Sequence, residues 1–244
     1  MARGFLILIS FFTRIPVGNK IEYDEESYVK GLSLYSLMGA VIGFFLVIVY
    51  LIFNNIYITL FKGLILTIAY IIITGGIHLD GTADTSDGIF SGRTGERIFE
   101  IMSDSHIGSF GVLSLILVVF SQIILFSYAD IFTVFMMPVV GRASVIVASW
   151  GKKYAKNSKG MGTLFIESIN NNVLIINLLV ALFFILLIPN RLIFLTSVFA
   201  TLMISYFISC KIEDKIGGMT GDTCGFVLEI SQIIFMTIIL FLKG

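Results

Sequence analysis

The sequence has little charge, cysteine, histidine and proline. Only 13% of its 244 residues are Asp, Glu, Lys or Arg, where an ordinary soluble domain has roughly a quarter, and the formal net charge is zero. Without net positive charge, bulk attraction to nucleic acid has no support. The two cysteines, Cys210 and Cys224, form no CxxC motif and have no histidine at zinc-ligand spacing. We therefore expect buried thiols rather than a zinc site or a disulfide framework.

Apolar residues are abundant instead. They make up 57% of the chain, and the mean hydropathy is +1.00. A transmembrane helix needs about 20 mostly apolar residues. The stretches that meet this requirement are 32–53, 59–77, 109–128, 131–150, 173–189, 191–210 and 223–242. We therefore predict an all-α fold, a polytopic transmembrane helix bundle of about seven spans, in which residues 1–244 form one membrane-embedded domain.

The first apolar stretch, residues 5–12, is too short to span a bilayer. It has no cleavage site of the signal-peptide type, and Arg14 and Pro16 follow it directly. An N-terminal interfacial or re-entrant helix fits these features better. Gly39 and Gly43 form a GxxxG motif in the first span, which predicts close helix packing inside the bundle rather than a dimer contact. A homo-oligomer stays open at this point.

The basic residues are distributed unequally between the two sides of the predicted membrane. Seven spans place the longer polar stretches on one side, and twelve of the 16 Lys and Arg residues lie there. Three lie on the other side, and Arg142 is inside a span. The positive-inside rule predicts that the long loops are cytoplasmic in a multi-pass protein of the cell membrane. Of the acids, only Asp130 lies clearly on the outer side.

An acidic cluster follows the second span. Asp80, Asp84 and Asp87 stand at i, i+4 and i+7, so a helix would place them on one face. Three like charges repel one another unless a cation lies between them, and hard oxygen ligands suit Mg²⁺ or Ca²⁺. Small residues between Gly81 and Gly88 are expected to leave room for a bulky ligand. The alternatives are a solvated acidic helix end and a proton or ion relay.

Further candidates lie on the same side of the membrane. Asp104 could add a carboxylate or orient a nucleophile, while His106 could bind phosphate or transfer a proton, although a lone histidine is more often structural. The basic loop that contains Lys152, Lys153 and Lys159 could clamp an anion opposite the aspartates. Its lysines could equally reflect topology alone, because cytoplasmic loops carry lysine.

Two more features concern the later spans. Arg142 is inside a span, where charge is costly, so we expect it to pair with a phosphate or with an acid such as Glu229. A glycine-rich turn opens the last span and would offer backbone N–H groups to phosphate. The candidate residues of this turn are Gly217, Gly218, Thr220 and Gly221. Asp222 is either a helix cap or another metal ligand. Carboxylates, basic groups and a glycine-rich helix start on one membrane face together favour phosphoryl transfer.

The sequence resembles the cobalamin synthase family, the adenosylcobinamide-GDP ribazoletransferases. The segments that carry the resemblance occur in the family's order along nearly the whole chain: residues 11–17, 75–88, 102–108, 160–162 and 217–222. The aspartate segment is highly specific, and residues 160–162 are weak alone. One departure is His106, where the family pattern would have arginine; a cationic role remains open to it.

The resemblance implies an integral membrane, Mg²⁺-dependent enzyme of cobalamin biosynthesis. The family joins adenosylcobinamide-GDP to α-ribazole, or to its 5′-phosphate, and releases GMP. On this interpretation Asp80, Asp84, Asp87 and Asp222 are the candidate metal ligands. Asp87 or Asp104 would accept the proton of the attacking hydroxyl. Arg14, the loop lysines and the glycine-rich turn would hold phosphates.

Two other functions compete with this one. A CDP-alcohol phosphotransferase would have the full D-x-x-D-G-x-x-A-R pattern, whereas this chain continues from Asp84 with residues of another kind. A cation or proton transporter would place acids near the bilayer middle in inverted repeats. Here nearly all acids lie at one face, and the sequence has no evident inverted repeat.

Overall fold

A computed structural model describes residues 1–17, 22–156 and 160–243, and these ranges are almost wholly helical. They contain no β-strand beyond one isolated bridge between Tyr154 and Met219. The helices are α1 (Ala2–Phe12), α2 (Glu25–Gly31), α3 (Tyr35–Ile52), α4 (Thr59–Thr74), α5 (Ile77–Phe90), α6 (Glu96–Met102), α7 (Ser109–Tyr128), α8 (Ile131–Ser149), α9 (Met161–Glu167), α10 (Asn171–Leu187), α11 (Arg191–Ile216) and α12 (Gly221–Lys243). A 3₁₀ turn, Leu32–Leu34, joins α2 to α3.

The helices agree with the predicted spans. Within the described residues, five helical segments are long and apolar enough to cross a membrane, and two bent helix pairs raise the number to seven if each pair is one span. The bent pairs are α4 with α5, at 93°, and α9 with α10, at 84°. The prediction of an all-α bundle of about seven spans is confirmed, and so is a short apolar helix at the N-terminus, α1. The last turns of α11 extend beyond the predicted 191–210.

Helix α8 is the centre of the bundle, and α3, α10, α11 and α12 pack around it. The GxxxG motif explains how α3 approaches it. A Cβ on Gly39 would lie within 3 Å of the backbone of Pro138 and Val139, and Gly43 faces the backbone of Phe135 in the same way. The two glycines therefore serve packing inside the bundle, as predicted.

The outer surface of the bundle is apolar. Large side chains such as Leu117, Phe120, Phe183, Phe199 and Phe207 are exposed along the long helices. Exposed apolar patches on this scale are rare in soluble monomers. Polar side chains turn inward or bond to their own helix, as Thr201 and Ser205 do with carbonyl oxygens one turn earlier. This arrangement satisfies polar groups where lipid provides no hydrogen bonds.

The chain turns sharply between α4 and α5 at Gly75 and Gly76. Both have positive φ angles, 68° and 70°, which glycine adopts without steric cost. As a result α5 leaves the line of α4 almost at a right angle and carries the acidic cluster across one end of the bundle. At the opposite end the Lys243 ammonium lies 2.5 Å from the Asp130 carboxylate, so the acid predicted for the other side is indeed remote from the cluster.

Candidate active site

The acidic helix packs tightly against the start of the last span. A Cβ added to Gly81 of α5 would lie 2.9 Å from the Cα and carbonyl oxygen of Asp222, and one added to Gly225 of α12 would lie 3.2 Å from the backbone of His78. The small residues of α5 thus permit close helix approach. The expectation that small residues leave room for a ligand is wrong for Gly88, which is buried against the side chains of Ile98 and Met102, whereas Gly81 and Ala83 do line clefts at this site.

This approach creates a cleft of about 690 Å³ that several predicted residues share. Asp80 and Asp84 line it from α5, Asp222 from α12, and Asp104 from the loop before α7. Lys156 provides a positive charge to the same cleft, where its Nζ lies 3.7 Å from the Asp222 carboxylate. Carboxylates from three separate chain segments therefore meet beside one ammonium group.

The carboxylates repel one another across the cleft. Asp84 is half-buried and lies close enough to Asp80, Asp222 and Asp87 to be repelled by their negative charges. The positive charge of Lys156 partly offsets this repulsion. Among the described residues, no three His, Cys, Asp or Glu side chains are close enough to form a complete metal-binding group. Any cation here would therefore need ligands beyond the protein's own carboxylates, such as substrate phosphates or water.

Asp87 has a different environment from the other two aspartates of the stripe. Its carboxylate accepts hydrogen bonds from the backbone N–H groups of Gly108, at 2.7 Å, and Gly111, at 2.9 Å. These groups belong to the start of α7, where unpaired amides attract a negative charge. Asp87 therefore caps the first turn of α7 and connects it to α5. Its side chain does not line the cleft.

The glycine-rich turn before α12 is closed by threonines. The Thr223 N–H donates to the Thr220 hydroxyl at 3.2 Å, and the Thr220 N–H donates to the Thr223 hydroxyl at 2.8 Å. This reciprocal pair caps the helix, so the alternative that Asp222 is the cap is not needed. The Asp222 carboxylate is left to face the cleft, while Gly217, with φ at 78°, ends α11.

The basic loop after α8 is attached to that turn through the backbone. The Ala155 N–H donates to the Met219 carbonyl, and the Met219 N–H donates to the Lys153 carbonyl, each at 2.9 Å. Glycine is required at position 218, because a Cβ at that position would clash with the Lys153 carbonyl oxygen. The loop is thereby held so that Lys156 projects into the cleft.

The lysines that were predicted to bind an anion lie in different environments. Lys152 is mostly buried and bonds to the Glu213 carboxylate at 2.5 Å, which places it on α11 rather than in the cleft. Lys153 is exposed and does not line the cleft, and Lys159 lies outside the described residues. Arg14 is exposed and lies over Gly75 at the α4–α5 bend, outside the cleft lining. The lysine that does line the cleft is Lys156, and nothing in the sequence distinguishes it from the other lysines of the basic loop.

Asp104 and His106 form a pair at the rim. The His106 backbone N–H and its Nδ1 lie 2.9 Å and 2.8 Å from one Asp104 carboxylate oxygen. The hydrogen bond from the His106 backbone, followed by that from its ring, holds the pKa of Asp104 below its usual value. Asp104 lines the cleft, whereas the His106 side chain is 91% exposed and does not.

Arg142 is fully buried in α8 and is also outside the cleft. It lies within electrostatic reach of Glu229, but among the described residues it forms no ion pair. The Glu229 carboxylate instead accepts hydrogen bonds from the Tyr70 hydroxyl at 2.9 Å and the Gln122 amide at 2.7 Å. This polar cluster connects α4, α7, α8 and α12 in the interior of the bundle. Arg142 and Glu229 therefore interact electrostatically but do not form the direct ion pair that the sequence predicts.

A second, smaller cleft of about 210 Å³ adjoins the first. Asp80 and Asp222 line both clefts, as the residues common to their linings show. The remaining wall of the second cleft is mainly aromatic and includes Phe12, Tyr35 and Phe165. No periodicity or spacing in the sequence predicts this cleft, because its rings come from α1, the start of α3 and α9, which are far apart along the chain.

Comparisons with known proteins show the family of the chain. A family model described as cobalamin-5-phosphate synthase matches residues 4–240. The chain belongs to the cobalamin-5-phosphate synthase family. An adenosylcobinamide-GDP ribazoletransferase of Alkaliphilus oremlandii is 36% identical over 246 residues, with 99% of this chain and 98% of the relative covered. Relatives with the same description include those of Fusobacterium nucleatum, 35% identical over 98% of this chain and 97% of the relative, and Acetivibrio thermocellus, 36% identical over 99% and 98%. No solved structure matches.

The segments that carry the resemblance to the cobalamin-5-phosphate synthase family meet around the two clefts. Residues 75–88, 102–108 and 217–222 contribute to the larger cleft. Residues 11–17 contribute Phe11 and Phe12 to the smaller one, and residues 160–162 contribute Met161 and Gly162. Segments that are distant along the chain therefore share one location, which is expected of the parts of an active site.

Proposed function

We propose that the chain joins adenosylcobinamide-GDP to α-ribazole, or to its 5′-phosphate, and releases GMP. The products are adenosylcobalamin, or its 5′-phosphate, and the reaction completes the nucleotide loop in cobalamin biosynthesis. The observation that carries the proposal is the larger cleft, where Asp80, Asp84 and Asp222 meet Lys156 at one end of a membrane bundle. The similarity of the chain to adenosylcobinamide-GDP ribazoletransferases supports it.

The donor set fits Mg²⁺. This ion keeps several waters and is usually bound by one or two carboxylates together with substrate phosphates. Asp80, Asp84 and Asp222 supply hard oxygen atoms from two helices, and their mutual repulsion would be relieved by a cation. When bound, Mg²⁺ would supply charge neutralisation at the pyrophosphate and at the leaving phosphate.

The chain's own residues perform the remaining tasks in this proposal. Lys156 binds the pyrophosphate of the donor, and the backbone N–H group of Asp222, in the first turn of α12, faces anionic oxygen. The acceptor hydroxyl attacks the phosphorus attached to the cobinamide arm, and the bond to the bridging oxygen of GMP breaks. Asp104, at the rim of the cleft, accepts the hydroxyl proton directly or through one water. Asp87 positions the start of α7.

The protein is proposed to be a phosphotransferase of the cell membrane whose clefts open to the cytoplasm. The excess of Lys and Arg on the cleft side supports this orientation. A nucleotide-activated donor would be present on that side.

The proposal is tested by changing Asp84 to Asn in protein reconstituted into liposomes at saturating Mg²⁺. We expect GMP release from adenosylcobinamide-GDP and α-ribazole to fall on the order of 100-fold, because a carboxylate that would hold Mg²⁺ beside the transferring phosphoryl is lost. Asp214→Asn is the matched control, since Asp214 is an exposed acid of α11 outside both clefts. Near wild-type turnover of Asp84→Asn would refute the metal role. A wild-type protein that forms no cobalamin product would refute the function itself.

A further inference from the structure

The smaller cleft contains an unusual concentration of rings. Phe12 stacks on His78 with their ring centroids 5.8 Å apart and their planes at 11°. Tyr35 and Phe165 meet each other and Phe12 edge to face, with centroids 5.2 to 6.3 Å apart. Tyr28 closes the cleft on the side of α2. Walls of this type present both faces and edges to a flat guest.

We propose that this aromatic cleft is the acceptor subsite and takes the flat bicyclic base of the incoming nucleoside. The inference rests on the proposed function, which supplies an aromatic nucleoside as one of two substrates. It divides the site between the two: the charged cleft holds the pyrophosphate of the donor, and the aromatic cleft holds the base of the acceptor.

The volume of the aromatic cleft limits which part of either substrate can bind there. Sites for drug-sized ligands run from about 300 to 1,000 Å³. At about 210 Å³ the aromatic cleft is smaller than these, and it is too small for a corrinoid ring or a complete nucleotide. A single bicyclic ring system is the part of either substrate whose shape and apolar faces suit such walls. Guanine, the other bicyclic ring, has several polar edge groups that this mainly apolar lining would leave unpaired.

His78 belongs to the aromatic wall and has a buried polar atom. It is 6% exposed, and its Nδ1 has no hydrogen-bond partner among the described residues. Buried polar atoms without partners are uncommon and call for an explanation. A benzimidazole nucleoside carries one unsubstituted ring nitrogen, which accepts a hydrogen bond, and a neutral imidazole can donate one.

The position of the aromatic cleft fits the reaction. Asp80 and Asp222 line both clefts, so they stand at the boundary between them. A base bound among the rings directs its ribose toward this boundary. The ribose hydroxyl then forms the new bond to phosphorus as the bond to the bridging oxygen breaks. The proton passes to a carboxylate, and GMP leaves with the bonding electron pair.

The subsite is tested by a substitution that adds a side chain to the aromatic cleft at a position with open space around it. Gly221 lines only this cleft, and a Cβ there meets no atom within 4 Å, so Gly221→Ile adds apolar bulk to the cleft while it keeps the backbone N–H. We expect the KM for α-ribazole to rise by about tenfold or more, since apolar pockets discriminate such changes in volume by this much. The KM for adenosylcobinamide-GDP should stay within about twofold of the wild-type value by the same reasoning.

Gly160→Ile is the matched control. Gly160 also has open space around its Cβ position, its backbone is extended with φ at −172°, and it lines neither cleft. A rise in the KM for α-ribazole in Gly221→Ile but not in Gly160→Ile supports the subsite. A rise confined to adenosylcobinamide-GDP, or no change in either KM, overturns it.

A second measurement keeps the test decisive if Gly221→Ile fails to fold or if turnover is not detected. Equilibrium dialysis of radiolabelled α-ribazole is performed on reconstituted wild-type protein and on Phe12→Leu, which keeps apolar volume but removes the ring. We expect the dissociation constant to rise roughly tenfold in Phe12→Leu, because a stacked ring contact is lost. Benzimidazole alone should compete with α-ribazole. Equal binding by the two proteins, or no binding by the wild type, overturns the subsite, whereas binding without product formation refutes only the proposed function.

Discussion

At the scale of single residues, the position of one lysine separates two roles of the basic loop. Lys156 donates toward Ser103 at 3.5 Å and faces Asp222 inside the charged cleft. Lys152 is bound to Glu213, and Lys153 is exposed. The loop is thus not a uniform anion clamp. Its charge at the site, within the described residues, is concentrated in one side chain.

Lys156→Ala is expected to raise the KM for adenosylcobinamide-GDP by roughly tenfold, because a charge-assisted hydrogen bond of about 1.5 kcal/mol is lost. The maximal rate should change less. Steady-state kinetics in proteoliposomes measure both parameters, and Lys153→Ala provides the comparison because that side chain lines neither cleft. Equal effects of the two substitutions would contradict the assignment.

Asp87 offers a second prediction at this scale. Its carboxylate accepts the N–H groups of Gly108 and Gly111, so Asp87→Ala should lower the free energy of unfolding by about 0.5–2 kcal/mol, as the loss of a helix cap does. The Mg²⁺ concentration for half-maximal activity should stay unchanged. Thermal unfolding and a Mg²⁺ titration measure the two effects. A large increase in the Mg²⁺ requirement with unchanged stability would instead restore the prediction that Asp87 is a metal ligand.

At the scale of elements, the contact between α5 and α12 determines where the carboxylates lie. The Asp80 and Asp84 side chains come from one helix and Asp222 from the other, and Gly81 allows the two backbones to meet. The Thr220–Thr223 cap fixes the first turn of α12, and a backbone bridge joins that turn to the basic loop. The site is therefore assembled from helix ends rather than from one motif.

Gly81→Ala tests this contact. The added methyl group would meet the Asp222 backbone, so α5 and α12 must separate, at a cost of about 1–3 kcal/mol in stability. We expect a lower unfolding temperature in detergent and a larger fractional loss of GMP release than stability alone would cause. Gly160→Ala, at a position with open space, is the control. Wild-type stability and turnover for Gly81→Ala would show that the helices do not depend on this contact.

At the scale of the whole molecule, the bundle has two chemically different ends. One end has both clefts, and the other has the turn between α7 and α8, where Asp130 pairs with Lys243. Between them lies the buried cluster of Glu229, Tyr70 and Gln122. The polar chemistry assigned to substrates is thus at one membrane face.

Labelling of single cysteines tests the orientation of these ends. With Cys210 and Cys224 replaced by serine, Ser105→Cys reports on the cleft end and Asn55→Cys on the opposite end, since both residues are exposed. A membrane-impermeant maleimide should label Asn55→Cys in intact cells and Ser105→Cys only after the membrane is permeabilised. The reverse pattern would place the clefts outside the cytoplasm and contradict the positive-inside prediction.

The sequence alone predicts the membrane class, the approximate spans and the helical stripe of Asp80, Asp84 and Asp87. Hydrophobicity along one chain segment and helical periodicity are local properties, so they can be read without the fold. The segment order also pointed to the family. The tertiary structure decided which groups meet: it separated Asp87 from the cleft, brought Asp222 and Lys156 into it, and gathered the aromatic wall around His78. Those contacts join segments far apart along the chain, and they depend on helix crossings that no local pattern specifies.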